Sequence, residues 1–189
     1  MFRWFLILSI VNFGCASPST RSAPDGPNLI LISLDTVRAD HTTPYGYTRD
    51  TTPHLHRLAQ GGIVFEQTMS PSPWTLPAHV SLLTGQYPLR HGVHHKDHTL
   101  ASGIPTLATH FKSHGLRTAA ITNSGYLKHR SGLHREFDAY RTIQEYERSP
   151  APTQAWVTAR DWLSTHKKER FFLFLHIYDA HSAYVSESP

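Results

Sequence analysis

The stretch that decides the fold is Asn28-Leu-Ile-Leu-Ile-Ser-Leu34, an apolar run that ends at Asp35. It lacks the polar and apolar alternation of a half-exposed strand, so it predicts a strand of a parallel sheet that is covered on both faces. Ligands of open α/β sheets bind at the carboxyl ends of the strands, and Asp35 stands at such an end. The alternative interpretation of Asp35 is a turn or helix-capping residue.

Predicted helices and strands alternate along the rest of the chain. Helices are predicted over residues 53–59, 77–83, 106–114 and 153–167, and further strands over residues 63–65, 118–122 and 171–177. Residues 123–152 are rich in turn and charged residues and are predicted to be irregular, at the edge of the sheet. The alternation predicts an α/β domain with a mainly parallel sheet flanked by helices and joined by right-handed crossovers.

Composition describes an ordinary globular protein of 189 residues, which is enough for one domain with a core. The formal net charge is +4, and the basic residues are scattered along the chain. Nucleic-acid binding needs a concentrated basic face, so no nucleic-acid partner is expected. The 15 histidines are unusual, but composition does not place them.

The first 15 residues resemble an export signal. Arg3 precedes an apolar stretch of about eight residues, which is near the length of a signal core and too short to span a bilayer. The only cysteine, Cys15, follows Gly14, as in bacterial lipoprotein signals, where the cysteine is lipidated after cleavage. An ordinary secretory signal and an uncleaved anchor are the alternatives. Residues 16–27 are predicted to be a flexible tether and residues 28–189 the folded domain.

A second segment of interest is Thr75-Leu-Pro-Ala-His79, which opens a predicted helix. Threonine is a favoured N-cap residue, so capping is one interpretation of Thr75. A helix N-terminus also stabilises an oxyanion, which suits a nucleophile. His79 lies one turn along the same face. It is predicted to bond the nucleophile or a substrate oxygen, unless it is a structural histidine.

Taken together, these segments resemble the sulfatase family of the alkaline phosphatase superfamily. The resemblance extends over about residues 28–185 and includes residues 35–41, 45–49, 52–59 and 75–85. It implies an alkaline phosphatase-like fold, a nucleophile at Thr75 and a divalent cation (calcium, magnesium, manganese or zinc) held by Asp35 and Thr75. The family often has a second aspartate where this chain has Thr36. The implied substrate is an anionic ester on a small molecule or linked to a glycan or lipid.

Threonine at the nucleophile position changes the implied chemistry. The family motif is Cys/Ser-x-Pro-x-Arg, and sulfatases oxidise the Cys or Ser to an aldehyde. Thr75 and His79 replace the first and last residues of that motif. Oxidation of threonine would give a ketone, so Thr75 would act as a plain alkoxide. Its ester must then be cleaved by attack of water on the central atom, which phosphorus accepts more readily than sulfur. A preference for phosphate-type esters is therefore expected.

Two histidine-containing segments are candidates for further site residues. His176-Ile-Tyr-Asp-Ala-His181 resembles the family's His-x-x-Asp-Pro-His segment, which implies that His181 binds substrate and that His176 is structural. The segment from His91 to His98 is rich in histidine but lacks an organised spacing of metal ligands. A separate histidine-rich metal module is therefore not expected.

The family's later Asp-His-Gly or Asp-Asn segment, which completes the metal site, is not found in this sequence. We therefore expect the N-terminal part of a catalytic domain, with a sheet incomplete at its C-terminus, weak metal binding and little or no catalysis by this chain. The alternative is a non-catalytic, anion-binding envelope lipoprotein derived from such an enzyme. Either protein is expected to be exported to the cell envelope, periplasm or outer surface, with membrane association only through a lipid on Cys15.

Overall fold

The computed structural model describes residues 26–123, 126–143 and 154–181. Its strands are β1 (Leu29–Leu34), β2 (Arg117–Asn123), β3 (Ala139–Ile143) and β4 (Phe171–Ile177). All neighbouring pairs are parallel, and the strand order is β1-β4-β2-β3. The helices are α1 (Pro53–Gln60), α2 (Thr75–Thr84), α3 (Pro88–His91), α4 (Leu107–Ser113) and α5 (Gln154–His166). The predicted α/β class with a parallel sheet is confirmed.

The sheet is covered by helices on both faces at its centre. On one face, α2 and α4 pack against apolar side chains of the sheet, including Phe172 and Phe174 of β4. On the other face, α5 packs against Leu173 and Leu175 of the same strand. Successive side chains of a strand point to opposite faces, so the apolar run of β4 supplies both cores.

The prediction that the first strand is covered on both faces is wrong. β1 is an edge strand of the described sheet, paired only with β4. Leu31 packs against the core beneath α2 and α4, whereas Ile30 and Ile32 on the opposite face are 45% and 52% exposed. The reason is that α5 contacts β2 and β4 and leaves this face of β1 uncovered within the described chain.

Two other local predictions differ from the structure. Residues 63–65 form no strand, and Ile63 and Phe65 are 83% and 69% exposed. Residues 123–152 are not wholly irregular, because β3 pairs with β2 at the outer edge of the sheet. The four longer helices lie where they were predicted, with ends that differ by one or two residues.

The helix that carries the candidate nucleophile has well-defined ends. Pro77 lies in its first turn, where a missing N–H costs nothing. Gly85 ends it in the left-handed region, with φ 67°, a conformation that favours glycine. Leu76, Val80 and Leu83 are buried and fix the helix against the sheet.

The N-terminal predictions lie largely outside the described residues. The signal (residues 1–15), Cys15 and most of the tether (residues 16–27) therefore stay predictions. Within the part of the chain that the structure describes, no helix is long and apolar enough to cross a membrane.

Candidate active site

Asp35 and Thr75 lie side by side, although 40 residues separate them in the sequence. Asp35 follows β1 directly, and its backbone N–H donates to the Ile177 carbonyl at 2.9 Å. The Thr75 hydroxyl donates to Oδ2 of Asp35 at 3.1 Å. The structure therefore brings together the two residues that were predicted to share a cation.

Thr75 does not cap its helix. Trp74 occupies the N-cap position, no side-chain capping bond is formed there, and Thr75 is the first helical residue. Its hydroxyl is directed to Asp35 instead. This leaves Oγ1 of Thr75 at a positively polarised helix N-terminus and beside a carboxylate.

The carboxyl group of Asp35 is held ionised. Burial raises the pKa of Asp35, but the neighbouring His176, His79 and the Thr75 hydroxyl together outweigh burial. The net pKa lies below its ordinary value. Asp35 is only 8% exposed, so solvent and salt screen this charge only weakly.

Thr36 has an unusual backbone conformation at the turn after Asp35. Its φ is 59°, and it is the only residue other than glycine with a positive φ among those described. A β-branched residue in this region is strained. Its hydroxyl donates to the Ala180 carbonyl at 3.1 Å, which ties the turn after β1 to the turn after β4.

Both ring nitrogens of His79 form hydrogen bonds, and neither bond is to the Thr75 hydroxyl. Nδ1 lies 2.7 Å from the backbone carbonyl of Thr75, which can only accept, so Nδ1 carries the proton. Nε2 then accepts the hydroxyl proton of Ser33 at 2.7 Å. Burial lowers the pKa of His79, and His176 lowers it further. The predicted bond from His79 to the nucleophile is therefore not formed, and a catalytic role for His79 stays a prediction.

His176, which the sequence predicted to be only structural, lies beside the candidate cation ligand Asp35. It is fully buried, and its ring packs edge-on against His79, with centroids 4.9 Å apart. Its Nε2 lies 3.8 Å from Oδ2 of Asp35. The pairing of β1 with β4 places His176 opposite Ser33, and this pairing cannot be inferred from the sequence pattern.

A cleft of about 800 Å³ opens at the Asp35–Thr75 pair. Its lining comes from the end of β1 (residues 33–36), the segment before α2 (residues 68–74), and α2 with the turn that follows. Met69, Trp74 and Tyr87 supply apolar and aromatic surface. A reacting ester could reach Thr75 from this side.

The predicted substrate ligand His181 is not part of this lining. It lies in the turn after β4, and its ring stacks on Tyr178 with centroids 4.3 Å apart. The bond from Thr36 to Ala180 keeps this turn next to the site. Substrate binding by His181 stays a prediction.

The histidines after α2 are placed by local contacts. His91 is buried and bonds the Ser81 hydroxyl at 2.9 Å, and its Nδ1 accepts from the Val93 N–H at 3.1 Å. His94 and His95 each pack against His98. These contacts describe a structural turn.

The side chains at the cleft supply some, but not all, of the ligands that a cation needs. Within the described ranges, no group of three or more His, Cys, Asp or Glu side chains is arranged to hold a metal ion. The donors that do meet there are the Asp35 carboxylate and the Thr75 hydroxyl, which are oxygen ligands that hard cations prefer. Calcium and magnesium take six or more ligands, so further oxygens from elsewhere must complete such a site.

The parallel sheet, the acidic residue at a strand end and the hydroxyl at a helix N-terminus define an α/β protein of the alkaline phosphatase type. The family model described as Sulfatase matches residues 27–189, and the chain belongs to the sulfatase family. The steryl-sulfatase of Rattus norvegicus is 39% identical over 88 residues, which are 47% of this chain and 15% of that protein. The chain thus spans only a small part of the length of this relative.

Solved structures show the same fold. A structure determined with its substrate D-glucosamine-2-N,6-O-disulfate has a TM-score of 0.72 and 18% identity, covering 84% of this chain and 35% of that one. The phosphonate monoester hydrolase of Agrobacterium radiobacter has a TM-score of 0.68 and 20% identity, covering 82% and 41%. The C-terminal periplasmic domain of EptC from Escherichia coli, a complex with Zn, has a TM-score of 0.63 and 19% identity, covering 89% and 48%.

Proposed function

We propose that the protein containing this chain is a metal-dependent hydrolase of sulfate- or phosphate-type esters, with Thr75 as its nucleophile. The observation that carries the proposal is the 3.1 Å bond from the Thr75 hydroxyl to Asp35 at the mouth of a cleft. Membership of the sulfatase family supports the reaction class.

Asp35 and Thr75 would hold a divalent cation, for which calcium, magnesium, manganese and zinc are the candidates. When bound, such a cation supplies positive charge that favours the alkoxide and neutralises the group being transferred. The EptC domain solved with Zn, which shares this fold, supports a divalent metal without identifying it here. The lowered pKa of Asp35 keeps that ligand ionised at neutral pH.

The proposed reaction with a phosphate-type ester has two displacements. Oγ1 of Thr75 loses its proton and forms a bond to phosphorus, while the ester P–O bond breaks and the leaving oxygen takes up a proton. Water then attacks phosphorus, the Thr75–phosphorus bond breaks, and phosphate leaves as Thr75 regains its proton. The resemblance in fold to a phosphonate monoester hydrolase supports such chemistry, and threonine cannot form the aldehyde that sulfatases use.

His79 would position the nucleophile in this scheme. Its ring joins the Thr75 carbonyl to the Ser33 hydroxyl, and so ties the first turn of α2 to the last residues of β1. Because both nitrogens are occupied and burial lowers the pKa of His79, a neutral structural link suits it better than a proton shuttle.

The proposed substrate is an anionic ester on a small molecule, a glycan or a lipid. The names of a steryl-sulfatase relative and of a structure holding a sulfated glucosamine support this range. We also propose export to the cell envelope with lipidation at Cys15. Mass spectrometry of the mature protein checks this proposal, because an unmodified N-terminus beyond residue 15 contradicts it.

The substrate preference is tested by turnover of aryl sulfates, phosphate monoesters and phosphodiesters by the full-length protein. We expect phosphate-type esters to be hydrolysed faster, and all turnover to be lost in Thr75→Ala. Thr84→Ala is the matched control, since Thr84 lies at the other end of α2 and bonds only local backbone. Aryl sulfate hydrolysis that exceeds phosphate ester hydrolysis and disappears in Thr75→Ala would refute the phosphate preference.

A second candidate function is anion binding without catalysis. It is favoured by the incomplete donor set, because the described residues supply only one side of a cation site. In that case the full-length protein binds phosphate or sulfate, Thr75→Ala weakens this binding, and none of the three ester classes is turned over.

A further inference from the structure

A buried imidazole lies next to the proposed cation ligand without a hydrogen bond of its own. His176 has no exposed surface, and neither ring nitrogen has a hydrogen-bond partner among the described residues. We propose that His176 is a positioning residue, whose Nε2–H fixes the Asp35 carboxylate in the orientation that binds the cation. This inference rests on the proposed function.

A carboxylate oxygen lies close to Nε2 of His176. The ring packs edge-on against His79. His176 belongs to β4, which pairs with β1. A buried polar group without a partner is costly, so native structures supply one. The atom that faces Nε2 is Oδ2 of Asp35 at 3.8 Å, and an approach of less than about 1 Å would close a hydrogen bond.

The two oxygens of Asp35 have different surroundings. Oδ2 accepts from Thr75 and faces His176, whereas Oδ1 makes no hydrogen bond to the described residues. Fixing Oδ2 from the protein side therefore fixes where Oδ1 points. Since Asp35 lines the cleft, Oδ1 is the oxygen left for a cation.

His176 matters most once Thr75 reacts. The bond between Thr75 and Asp35 exists only while Oγ1 carries its proton. When that proton leaves, two negative oxygens face each other and the carboxylate loses its first donor. His176 then becomes the remaining donor to Oδ2, so it keeps the ligand in place during the step that needs it.

Two other roles for His176 predict different results. A direct nitrogen ligand would favour zinc over calcium and magnesium, which prefer oxygen. A purely structural histidine would affect folding but not the affinity of the folded chain for cations. A residue that orients the carboxylate affects every cation bound by that carboxylate, typically by about 10–100-fold.

The test is a calorimetric titration of the full-length protein with Zn²⁺, Mn²⁺, Mg²⁺ and Ca²⁺. Site binding is defined as the binding that Asp35→Asn abolishes, so that exposed histidines do not count. His176→Gln places an amide N–H near the position of Nε2, whereas the shorter side chain of His176→Asn cannot reach it. His91→Gln is the control, because His91 is also buried but bonds Ser81. Circular dichroism checks the folding of each variant.

We expect His176→Asn to weaken site binding by at least about tenfold for every cation, and His176→Gln and His91→Gln to retain most of it. A loss confined to Zn²⁺, or equal affinities for His176→Asn and wild type, would overturn the inference alone. If Asp35→Asn leaves the binding of all four cations unchanged, the proposed function itself is overturned, and the role of His176 with it.

Discussion

At the scale of single residues, the candidate site contains groups that are each held by a hydrogen bond to a specific neighbour. Asp35 accepts from Thr75, Thr36 donates to Ala180, and His79 joins Ser33 to the backbone of Thr75. The site therefore tolerates a strained conformation at Thr36, because contacts on both sides hold the turn.

The strain at Thr36 is open to measurement. Asparagine tolerates the left-handed region better than a β-branched residue, so Thr36→Asn is expected to raise the free energy of unfolding by about 0.5–1 kcal/mol. The check is urea denaturation, with Thr51→Asn as the control. Thr51 is also exposed and also donates its hydroxyl to a carbonyl, but its φ is not positive. A loss of stability at Thr36 equal to that at Thr51 would show that no strain is stored there.

The sequence predicts the parts of the site that depend on local pattern, but not those that depend on which strands pair. The position of Asp35 at a strand end and of Thr75 at a helix start follows from local pattern, and family resemblance brings the two together. The role of His176 does not, because it depends on the pairing of β1 with β4. Spacing in the sequence carries no information about that register.

At the scale of elements, the alternation of helices and strands was predictable, but the covering of each strand was not. The apolar runs of β1 and β4 look alike, yet one strand is at the edge and the other at the centre. β3 was missed because Ala139-Tyr-Arg-Thr-Ile143 carries too few apolar residues to stand out. Position in the sheet depends on long-range pairing, which local pattern does not determine.

Ile32 and Leu175 test this difference directly, because they are register partners on adjacent strands. Ile32 is 52% exposed and Leu175 is 1% exposed. We expect Leu175→Ala to lower the free energy of unfolding by about 2–5 kcal/mol, and Ile32→Ala to lower it by less than about 1 kcal/mol. The measurement is denaturant unfolding of this chain. Equal losses would show that β1 is covered as fully as β4.

Asp138 links three elements and makes stability depend on pH. It accepts from the backbone N–H of Thr118 at 2.9 Å and pairs with Lys112 of α4. Burial raises the pKa of Asp138, but the bonds from Lys112 and Thr118 outweigh burial and lower it overall. A lowered folded pKa means that the stabilisation is present at neutral pH. It is lost as pH falls from the ordinary range of Asp, about 4, through the folded pKa.

We therefore expect Asp138→Asn to lower the free energy of unfolding by about 1–2 kcal/mol at pH 7. The gap from wild type should shrink as the pH is lowered below about 4, when the wild-type carboxyl becomes neutral as well. Urea unfolding at several pH values measures it, with Asp161→Asn as the control, because Asp161 is exposed on α5. A gap that stays constant with pH would contradict a stabilising carboxylate at position 138.

At the scale of the whole molecule, the chain is a sulfatase-family α/β sheet that presents one side of a proposed cation site on its edge strand. It covers 40% or less of several longer solved relatives, such as 35% of the sulfated-glucosamine complex. The apolar face of β1 lies at this edge, beside the end of the strand that carries Asp35. Packing of further structure there would bury apolar surface and supply ligands at the same place.

The central claim, that Thr75 is a nucleophile served by a cation on Asp35, is tested most directly by trapping the covalent ester. The full-length protein is mixed with a phosphate ester and a divalent cation, quenched in acid and mapped by mass spectrometry. The account predicts a phosphoryl group on Thr75 that is absent without the cation and absent in Asp35→Asn. Hydrolysis that proceeds with Thr75 unmodified, or that survives in Thr75→Ala, would contradict it.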